Sequence, residues 1–221
     1  MPKILVVASG KGGSGKSTHA RNIIPLALAA GLRVAAYDTD PQKTLLTFLA
    51  ARAKKPVAQC QGVGSTLEEV TALARASGDV DLVIIDTPTA LEEHPAAVKE
   101  LLLAADLILI PSQPAIDDVS SVKTLMATAQ GLGRTATFVL NRVDTRVREV
   151  EGARHMLLRF GPLLSASLSA TVDIQRAMVQ GLGITEVKGR GGDDMEAIWA
   201  EVSRLLGLDD VIQRKGAVVN G

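Results

Sequence analysis

The chain is poor in cysteine and in aromatic residues. Of its 221 residues only Cys60 is a cysteine, and only 2% are aromatic. A single cysteine excludes an internal disulfide framework, and it excludes a zinc or iron–sulfur site built from several cysteines of one chain. This cysteine usage is typical of a reducing cytoplasm, where we expect the protein to reside. With so few aromatic side chains, the core is expected to be aliphatic.

The sequence also lacks a net charge and a recognisable leader. It has 24 Lys and Arg residues against 24 Asp and Glu residues. Dedicated nucleic-acid-binding proteins usually carry a basic excess, so any contact with DNA must come from a local basic face. The N-terminus enters an apolar run at residues 4–8 without the charged leader and cleavage site of a signal peptide. We therefore expect neither secretion nor stable membrane insertion.

Short apolar runs recur along the chain, and each is followed by polar or glycine-rich residues and then by a helical pattern. They span residues 4–8, 34–37, 82–85, 107–110 and 137–140. Because these runs are apolar throughout, they predict strands covered on both faces, as in a mostly parallel sheet with helices on either side. We predict a single α/β domain over residues 1–208. Residues 209–221 have little to bury, which favours a disordered C-terminal tail.

A glycine-rich loop follows the first predicted strand. It consists of Gly10, Lys11, Gly12, Gly13, Ser14, Gly15, Lys16, Ser17 and Thr18. Its spacing is that of a phosphate-binding loop, in which glycines let backbone N–H groups point at phosphate oxygens and the next helix adds its positive dipole end. We predict that Lys16 neutralises the β- and γ-phosphates, that Ser17 ligates Mg²⁺ and that Thr18 reaches the α-phosphate. A glycine-rich turn with a chance lysine is the alternative, and it does not explain why strand, loop and helix fall in register.

Carboxylates follow two further predicted strands. Asp38 and Asp40 lie one residue apart, so an extended backbone would point both at the site, where one can hold a Mg²⁺-bound water while the other positions the attacking water. Asp86 ends the run at residues 82–85, and we predict that it completes the magnesium site. The structural alternatives are a turn closed by Pro41 and a strand-ending turn at Asp86.

The string from Lys11 to Thr18 resembles the deviant Walker A motif of the ParA/MinD family of P-loop ATPases. In that family the earlier lysine reaches across a nucleotide-sandwich dimer, which implies that Lys11 acts on the partner's phosphates. Residues 38–42 resemble the Asp-x-Asp-Pro-Gln signature of ParA proteins. This resemblance implies that Asp40 positions the attacking water and that Asp38 belongs to the outer shell of the metal. The implied catalytic residues are Lys11, Lys16 and Asp40.

Two later segments, residues 110–114 and 140–142, resemble the base-recognising loops of the same family. The resemblance implies that Asn141 hydrogen-bonds adenine and that Pro114 also belongs to the nucleotide site. Each segment taken alone is an ordinary loop, and an Asn after a strand is commonly a turn former.

The resemblance to a small ParA protein implies an ATPase that dimerises on binding ATP, binds DNA without sequence preference and is activated by a ParB-like partner. Such a protein would position a plasmid, a chromosome or another cargo over the nucleoid. Basic residues that can contact phosphates occur at Arg142, Arg146, Arg148, Arg154, Arg159, Lys188, Arg190, Arg204, Arg214 and Lys215. Two alternatives remain open: a membrane-associated ATPase of the MinD kind, and an ATP-dependent amide-forming ligase that shares the loop.

Overall fold

The computed structural model describes residues 1–144, 146 and 149–219, without the side chains of residues 116–118, 120, 121 and 216–219. Arg148, one of the predicted DNA contacts, lies outside the described residues. The strands are β1 (Lys3–Val7), β2 (Val34–Asp38), β3 (Gln61–Gly64), β4 (Leu82–Asp86), β5 (Leu107–Ser112), β6 (Ala136–Val143) and β7 (Leu163–Ser169). The α-helices are α1 (Lys16–Ala29), α2 (Thr44–Arg52), α3 (Leu67–Ala76), α4 (Pro95–Ala104), α5 (Ile116–Gly131), α6 (Glu149–Phe160), α7 (Val172–Val179), α8 (Gly192–Leu205) and α9 (Asp209–Val219).

The strands form one seven-stranded sheet in the order β3-β2-β4-β1-β5-β6-β7, and every described pairing is parallel. Apolar side chains cover both faces of the sheet. Along β1, Ile4 and Val6 belong to one core cluster, whereas Leu5 and Val7 belong to the other. This two-sided burial explains why the strand runs are continuously apolar. The predicted α/β architecture with helices on both faces is confirmed.

The sequence patterns missed the two edge strands, β3 and β7. Half of β3 is glycine, at Gly62 and Gly64, and none of its residues is fully buried. In β7 only Leu164 and Leu168 are buried, with exposed and half-buried residues between them. An edge strand is covered less completely than a central one, so neither segment carries a continuous apolar run.

The C-terminal segment is helical over Asp209–Val219, where the composition favoured a disordered tail. Val211 and Ile212 pack against the core cluster that contains Leu5. The Lys215 ammonium lies 2.5 Å from a carboxylate oxygen of Asp81. These contacts hold α9 against the end of the sheet at which β4 begins.

In a parallel sheet the carboxyl ends of all strands meet at one edge, where ligands gather. In this chain the glycine-rich loop leaves β1 there. Asp38 and Asp86, the last residues of β2 and β4, are paired in the sheet register at the same edge. The fold therefore brings the loop and the predicted carboxylates together.

Candidate functional site

The glycine-rich loop has the backbone geometry expected of a phosphate cradle. Gly13 and Gly15 adopt left-handed conformations, with φ of 75° and 112°. A Cβ atom on Gly15 would lie 2.1 Å from Nδ2 of Asn141, so no larger residue fits there. Helix α1 begins immediately afterwards at Lys16, so its first backbone N–H groups lie at the loop.

Lys16 lies inside this loop. Its side chain is almost completely buried, and Nζ is 3.5 Å from the carbonyl oxygen of Lys11. Burial lowers the pKa of Lys16, whereas the charges of Asp86 and Asp40 raise it. The loop lysine and two predicted site carboxylates are thus close enough to interact. Lys11 itself is half-buried, and its action on a second subunit remains a prediction.

Asp86 carries a buried carboxylate next to the hydroxyl group of Ser17. The residue is fully buried, and within the described part of the chain neither carboxylate oxygen has a hydrogen-bond partner that meets normal geometry. Burial raises its pKa to about 7, while the nearby Ser17 hydroxyl opposes the shift. A buried carboxylate beside a hydroxyl group provides the oxygen ligands that Mg²⁺ prefers. Ser17 and Asp86 therefore fit the predicted magnesium site. The described part of the chain contains no larger group of His, Cys, Asp and Glu side chains that could hold a metal ion.

Asp38 is placed differently from the expectation that it would point into the site together with Asp40. Its Oδ1 accepts the Asp40 N–H at 3.1 Å, and its Oδ2 accepts the N–H groups of Leu45 and Leu46 at 3.0 and 3.1 Å. Asp38 is fully buried and anchors the first turn of α2. The expectation of a shared direction is wrong because β2 ends at Asp38, so the alternation of an extended strand does not continue to Asp40. Its place in an outer metal shell stays a prediction.

Asp40 lines the cleft at the loop. Its Oδ1 also accepts the N–H of Gln42 at 2.8 Å. This is the Asx-type turn that was the structural alternative for the segment. The turn and the site are therefore compatible, because the same residue closes the turn and faces the cleft.

Asn141 supports the loop from the end of β6. Its side chain is buried, and Nδ2 donates to the carbonyl oxygen of Ser14 at 2.8 Å. Immediately after β5, Nε2 of Gln113 donates to the carbonyl oxygen of Gly13 at 2.9 Å. Sequence reasoning missed this function of Gln113, although its place after a strand next to β1 was the available signal. Pro114 does not line the cleft, and the adenine contacts of Pro114 and Asn141 stay predictions.

The cleft has a volume of about 1020 Å³ and extends beyond the loop, between helices α2 and α7. Two arginines, Arg21 and Arg142, also line it; the sequence patterns missed Arg21, whereas Arg142 belongs to the segment 140–142 and to the predicted DNA contacts. Nε of Arg21 donates to the carbonyl oxygen of Ser17 at 2.9 Å, and burial lowers the pKa of this arginine. Arg142 follows Asn141 and has a left-handed backbone conformation, with φ of 56°. The cleft therefore offers guanidinium groups in addition to the loop lysine.

The predicted DNA-contacting residues are not equally available. Arg146 forms a salt bridge of 2.7 Å with Asp144, and Lys215 is engaged by Asp81. Arg159 on α6 and Arg204 on α8 are exposed. None of the helices described is long and apolar enough to cross a membrane.

Residues 5–184 match the family model described as the CobQ/CobB/MinD/ParA nucleotide binding domain. The chain is 32% identical over 211 residues to the maintenance of carboxysome distribution protein A of Gloeobacter kilaueensis, covering 94% of this chain and 95% of that protein. Its fold is similar to that of the septum site-determining protein MinD of Pyrococcus horikoshii in complex with Mg-ADP, with a TM-score of 0.75, 20% identity and coverage of 94% and 98% of the two chains. It is also similar to a candidate plasmid partition protein of Borrelia burgdorferi bound to AMPPNP, with a TM-score of 0.73, 19% identity and coverage of 90% and 98%.

Proposed function

We propose, from the premise that the chain belongs to the CobQ/CobB/MinD/ParA nucleotide-binding family, that it is a Mg²⁺-dependent ATPase that dimerises on binding ATP and distributes a cellular cargo. The observation that carries the proposal is the presence of two lysines, Lys11 and Lys16, in one phosphate loop. Lys16 lies inside its own loop, with Nζ 3.5 Å from the carbonyl oxygen of Lys11, and would bind the phosphates of its own subunit's nucleotide. A second loop lysine suits a site that two copies of the chain complete together.

Within one subunit, the loop N–H groups and Lys16 would bind the phosphates, and Thr18 would contact the α-phosphate. Ser17 and Asp86 would hold Mg²⁺, which supplies charge neutralisation of the phosphates when it is bound. Asp40 would orient the attacking water. Asp38 accepts the N–H of Asp40 and so fixes the segment that presents this residue. Hydrolysis depends on such positioning more than on covalent chemistry.

We infer the kind of cargo from the names of the similar proteins. The relative in Gloeobacter kilaueensis is named for carboxysome distribution, and the protein of Borrelia burgdorferi is described as a plasmid partition protein. We propose that this chain positions a cargo of one of these kinds, a protein compartment or a DNA molecule, over the nucleoid. Its ATP-bound dimer would bind DNA non-specifically through exposed basic residues such as Arg159 and Arg204, and a ParB-like adaptor would stimulate hydrolysis.

The test is the ATPase rate with and without non-specific DNA, combined with retention on a DNA column in the presence of ATP or ADP. We expect retention with ATP but not with ADP, and retention that falls steeply with salt because phosphate contacts release counterions. Lys16→Ala is the control, since it should lose both nucleotide binding and retention. ATP-dependent binding to anionic vesicles without binding to DNA would favour the membrane-associated alternative. ATP hydrolysis without binding to either DNA or vesicles would favour the ligase alternative.

A further inference from the structure

Lys43 stands where the segment that carries Asp40 ends and helix α2 begins. It directly precedes α2, and its φ of 50° and ψ of 38° are left-handed. Glycine adopts this conformation freely, whereas a residue with a Cβ atom is strained in it. Such strain persists only where the surrounding structure imposes it, and it concentrates at functional sites. The contacts of Lys43 should therefore show what a lysine contributes at this position.

Capping of α2 does not explain the lysine. The residues preferred at this position are Ser, Thr, Asp and Asn, whose side-chain oxygens accept N–H groups of the first helical turn. An ammonium group only donates hydrogen bonds, so it cannot do this. In this chain Oδ2 of Asp38 accepts the N–H groups of Leu45 and Leu46 instead. The side chain of Lys43 is left for a different contact.

The ammonium group folds back onto the carboxyl ends of two strands. Nζ of Lys43 donates to the carbonyl oxygen of Asp38 at 3.0 Å and to that of Ser65 at 3.5 Å. Asp38 is the last residue of β2, and Ser65 follows β3. The side chain passes over Gly64, where a Cβ atom would lie 3.7 Å from Cε and Nζ of Lys43. Lys43 thus ties the start of α2 to the edge of the sheet at which the candidate site lies.

These bonds close the segment 38–43 around Asp40. On one side, the N–H of Asp40 donates to Oδ1 of Asp38 at 3.1 Å. On the other side, the N–H of Lys43 donates to the carbonyl oxygen of Asp40 at 2.9 Å. The ammonium of Lys43 then joins the two ends of the segment, because it donates to Asp38. Asp40 lies between these contacts, lines the cleft and acts electrostatically on Lys16.

We propose that Lys43 is a positioning residue for hydrolysis, whose ammonium holds Asp40 in the direction from which this carboxylate orients the attacking water. The inference rests on the proposed ATPase function, in which Asp40 has that role, and it adds the residue that determines the geometry of Asp40. Lys43 is not among the described residues that line the cleft, so it acts through Asp40. A displaced Asp40 lowers the rate of phosphoryl transfer without weakening the binding of the phosphates.

The test compares wild type with Lys43→Met, Lys43→Gly and Lys43→Arg. Methionine removes the ammonium and keeps the backbone strain, glycine removes both, and arginine keeps a cation with N–H donors. Lys3→Met is the matched control, because Lys3 pairs with Asp106 at the opposite edge of the sheet, with an N–O distance of 3.4 Å. The rate of ATP hydrolysis is measured in single turnover with Mg²⁺ and protein in excess, and the affinity for Mg-ADP is measured by calorimetry. The thermal midpoint of each ligand-free protein is recorded in parallel.

We expect Lys43→Met and Lys43→Gly to lower the single-turnover rate about tenfold while the affinity for Mg-ADP changes less than about twofold. Lys43→Arg should keep about half of the wild-type rate, and Lys3→Met should keep all of it. When Asp40 is already replaced by alanine, Lys43→Met should change the residual rate less than about twofold, since residues that act as a unit do not have additive effects.

A wild-type rate in Lys43→Gly would overturn the proposal, because that variant lacks the ammonium and relieves the strain. Equal losses of rate and of ADP affinity would also overturn it, as would a tenfold effect of Lys43→Met added to that of Asp40→Ala. A wild type that does not hydrolyse ATP, or Asp40→Ala at the wild-type rate, would instead refute the proposed function itself.

Discussion

At the residue scale, two buried side chains near the loop have pKa values displaced in opposite directions. His19 in α1 is fully buried, neither ring nitrogen has a hydrogen-bond partner among the described residues, and burial lowers its pKa to about 4. Asp86 is equally buried, and burial raises its pKa to about 7. The stability contributed by His19 is present above its unfolded pKa of 6.5 and is lost as the pH falls towards 4. The stability contributed by Asp86 is present below its unfolded pKa of 3.8 and is lost as the pH rises towards 7.

These two dependences largely cancel in the wild type between pH 4 and 6.5. In Asp86→Asn the opposing pH dependence of Asp86 is removed. We therefore predict that the free energy of unfolding of this variant falls by about 3 kcal/mol relative to wild type when the pH falls from 6.5 to 4. His19→Leu should show the reverse, gaining about 3 kcal/mol relative to wild type over the same range. Urea unfolding of the protein without nucleotide or Mg²⁺ at several pH values measures both. Parallel pH profiles of wild type and both variants would contradict this account.

We expect the loss of the Asp38 side chain to destabilise the protein much more than the loss of the Asp40 side chain. Asp38→Ala removes the acceptor of three backbone N–H groups, two of them in the first turn of α2, and we expect a loss of about 2–3 kcal/mol. Asp40→Ala removes one turn hydrogen bond at an exposed N–H group, and we expect a loss of under about 1 kcal/mol. Urea unfolding of the two variants makes the comparison. Equal losses would mean that Asp38 does not anchor α2.

Sequence patterns located the loop and the strand-ending carboxylates because phosphate binding requires particular residues at fixed spacing. Patterns of this kind do not reveal which backbone group a side chain meets. The hydrogen bond from Asn141 to Ser14 joins residues far apart in the sequence. The same holds for Gln113 and Gly13, and only the strand order brings these pairs together.

At the scale of elements, helix α2 is held at both ends. Asp38 anchors its first turn, and Arg52 in its last turn forms two hydrogen bonds with Glu186, of 2.7 and 2.9 Å. Arg52 is almost completely buried and also donates to the carbonyl oxygen of Gly181, which follows α7. Because α2 and α7 form walls of the cleft, this ion pair ties the last turn of α2 to the segment that follows α7.

We predict that Glu186→Gln destabilises the protein by about 3 kcal/mol, because it leaves the buried guanidinium of Arg52 without a counter-charge. Glu68→Gln is the matched control. Glu68 pairs with His94 on the surface, with both side chains substantially exposed, and its loss should destabilise the protein far less than the loss of Glu186. Denaturant unfolding at neutral pH compares them. A cost at Glu186 no larger than at Glu68 would show that the ion pair does not hold α2.

The sequence patterns found the strands and helices that are most completely buried and missed those that are least buried. The central strands β1, β2, β4, β5 and β6 were found because both of their faces are covered. Helix α9 was missed because it is held by few apolar residues and by the pairing of Lys215 with Asp81, which joins distant segments. Its sequence is interrupted by Gly216, and glycine is a weak helix former.

At the scale of the whole molecule, the proposed function makes the chain one half of a dimeric ATPase. The cleft holds Lys16, Asp40, Arg21 and Arg142 of one subunit. Lys11 would complete the site of the partner. The chain would therefore be dimeric when ATP is bound, and hydrolysis of ATP would return it to the monomer.

The most direct test of this central claim is the mass of the Asp40→Ala variant in solution, measured by light scattering with Mg-ATP and with Mg-ADP. We predict twice the chain mass of 23.1 kDa with ATP, because hydrolysis is blocked, and the single-chain mass with ADP. The double variant Lys11→Ala, Asp40→Ala should bind ATP and remain at 23.1 kDa. A single-chain mass for Asp40→Ala saturated with ATP, or an ATP-dependent dimer of the double variant, would contradict it.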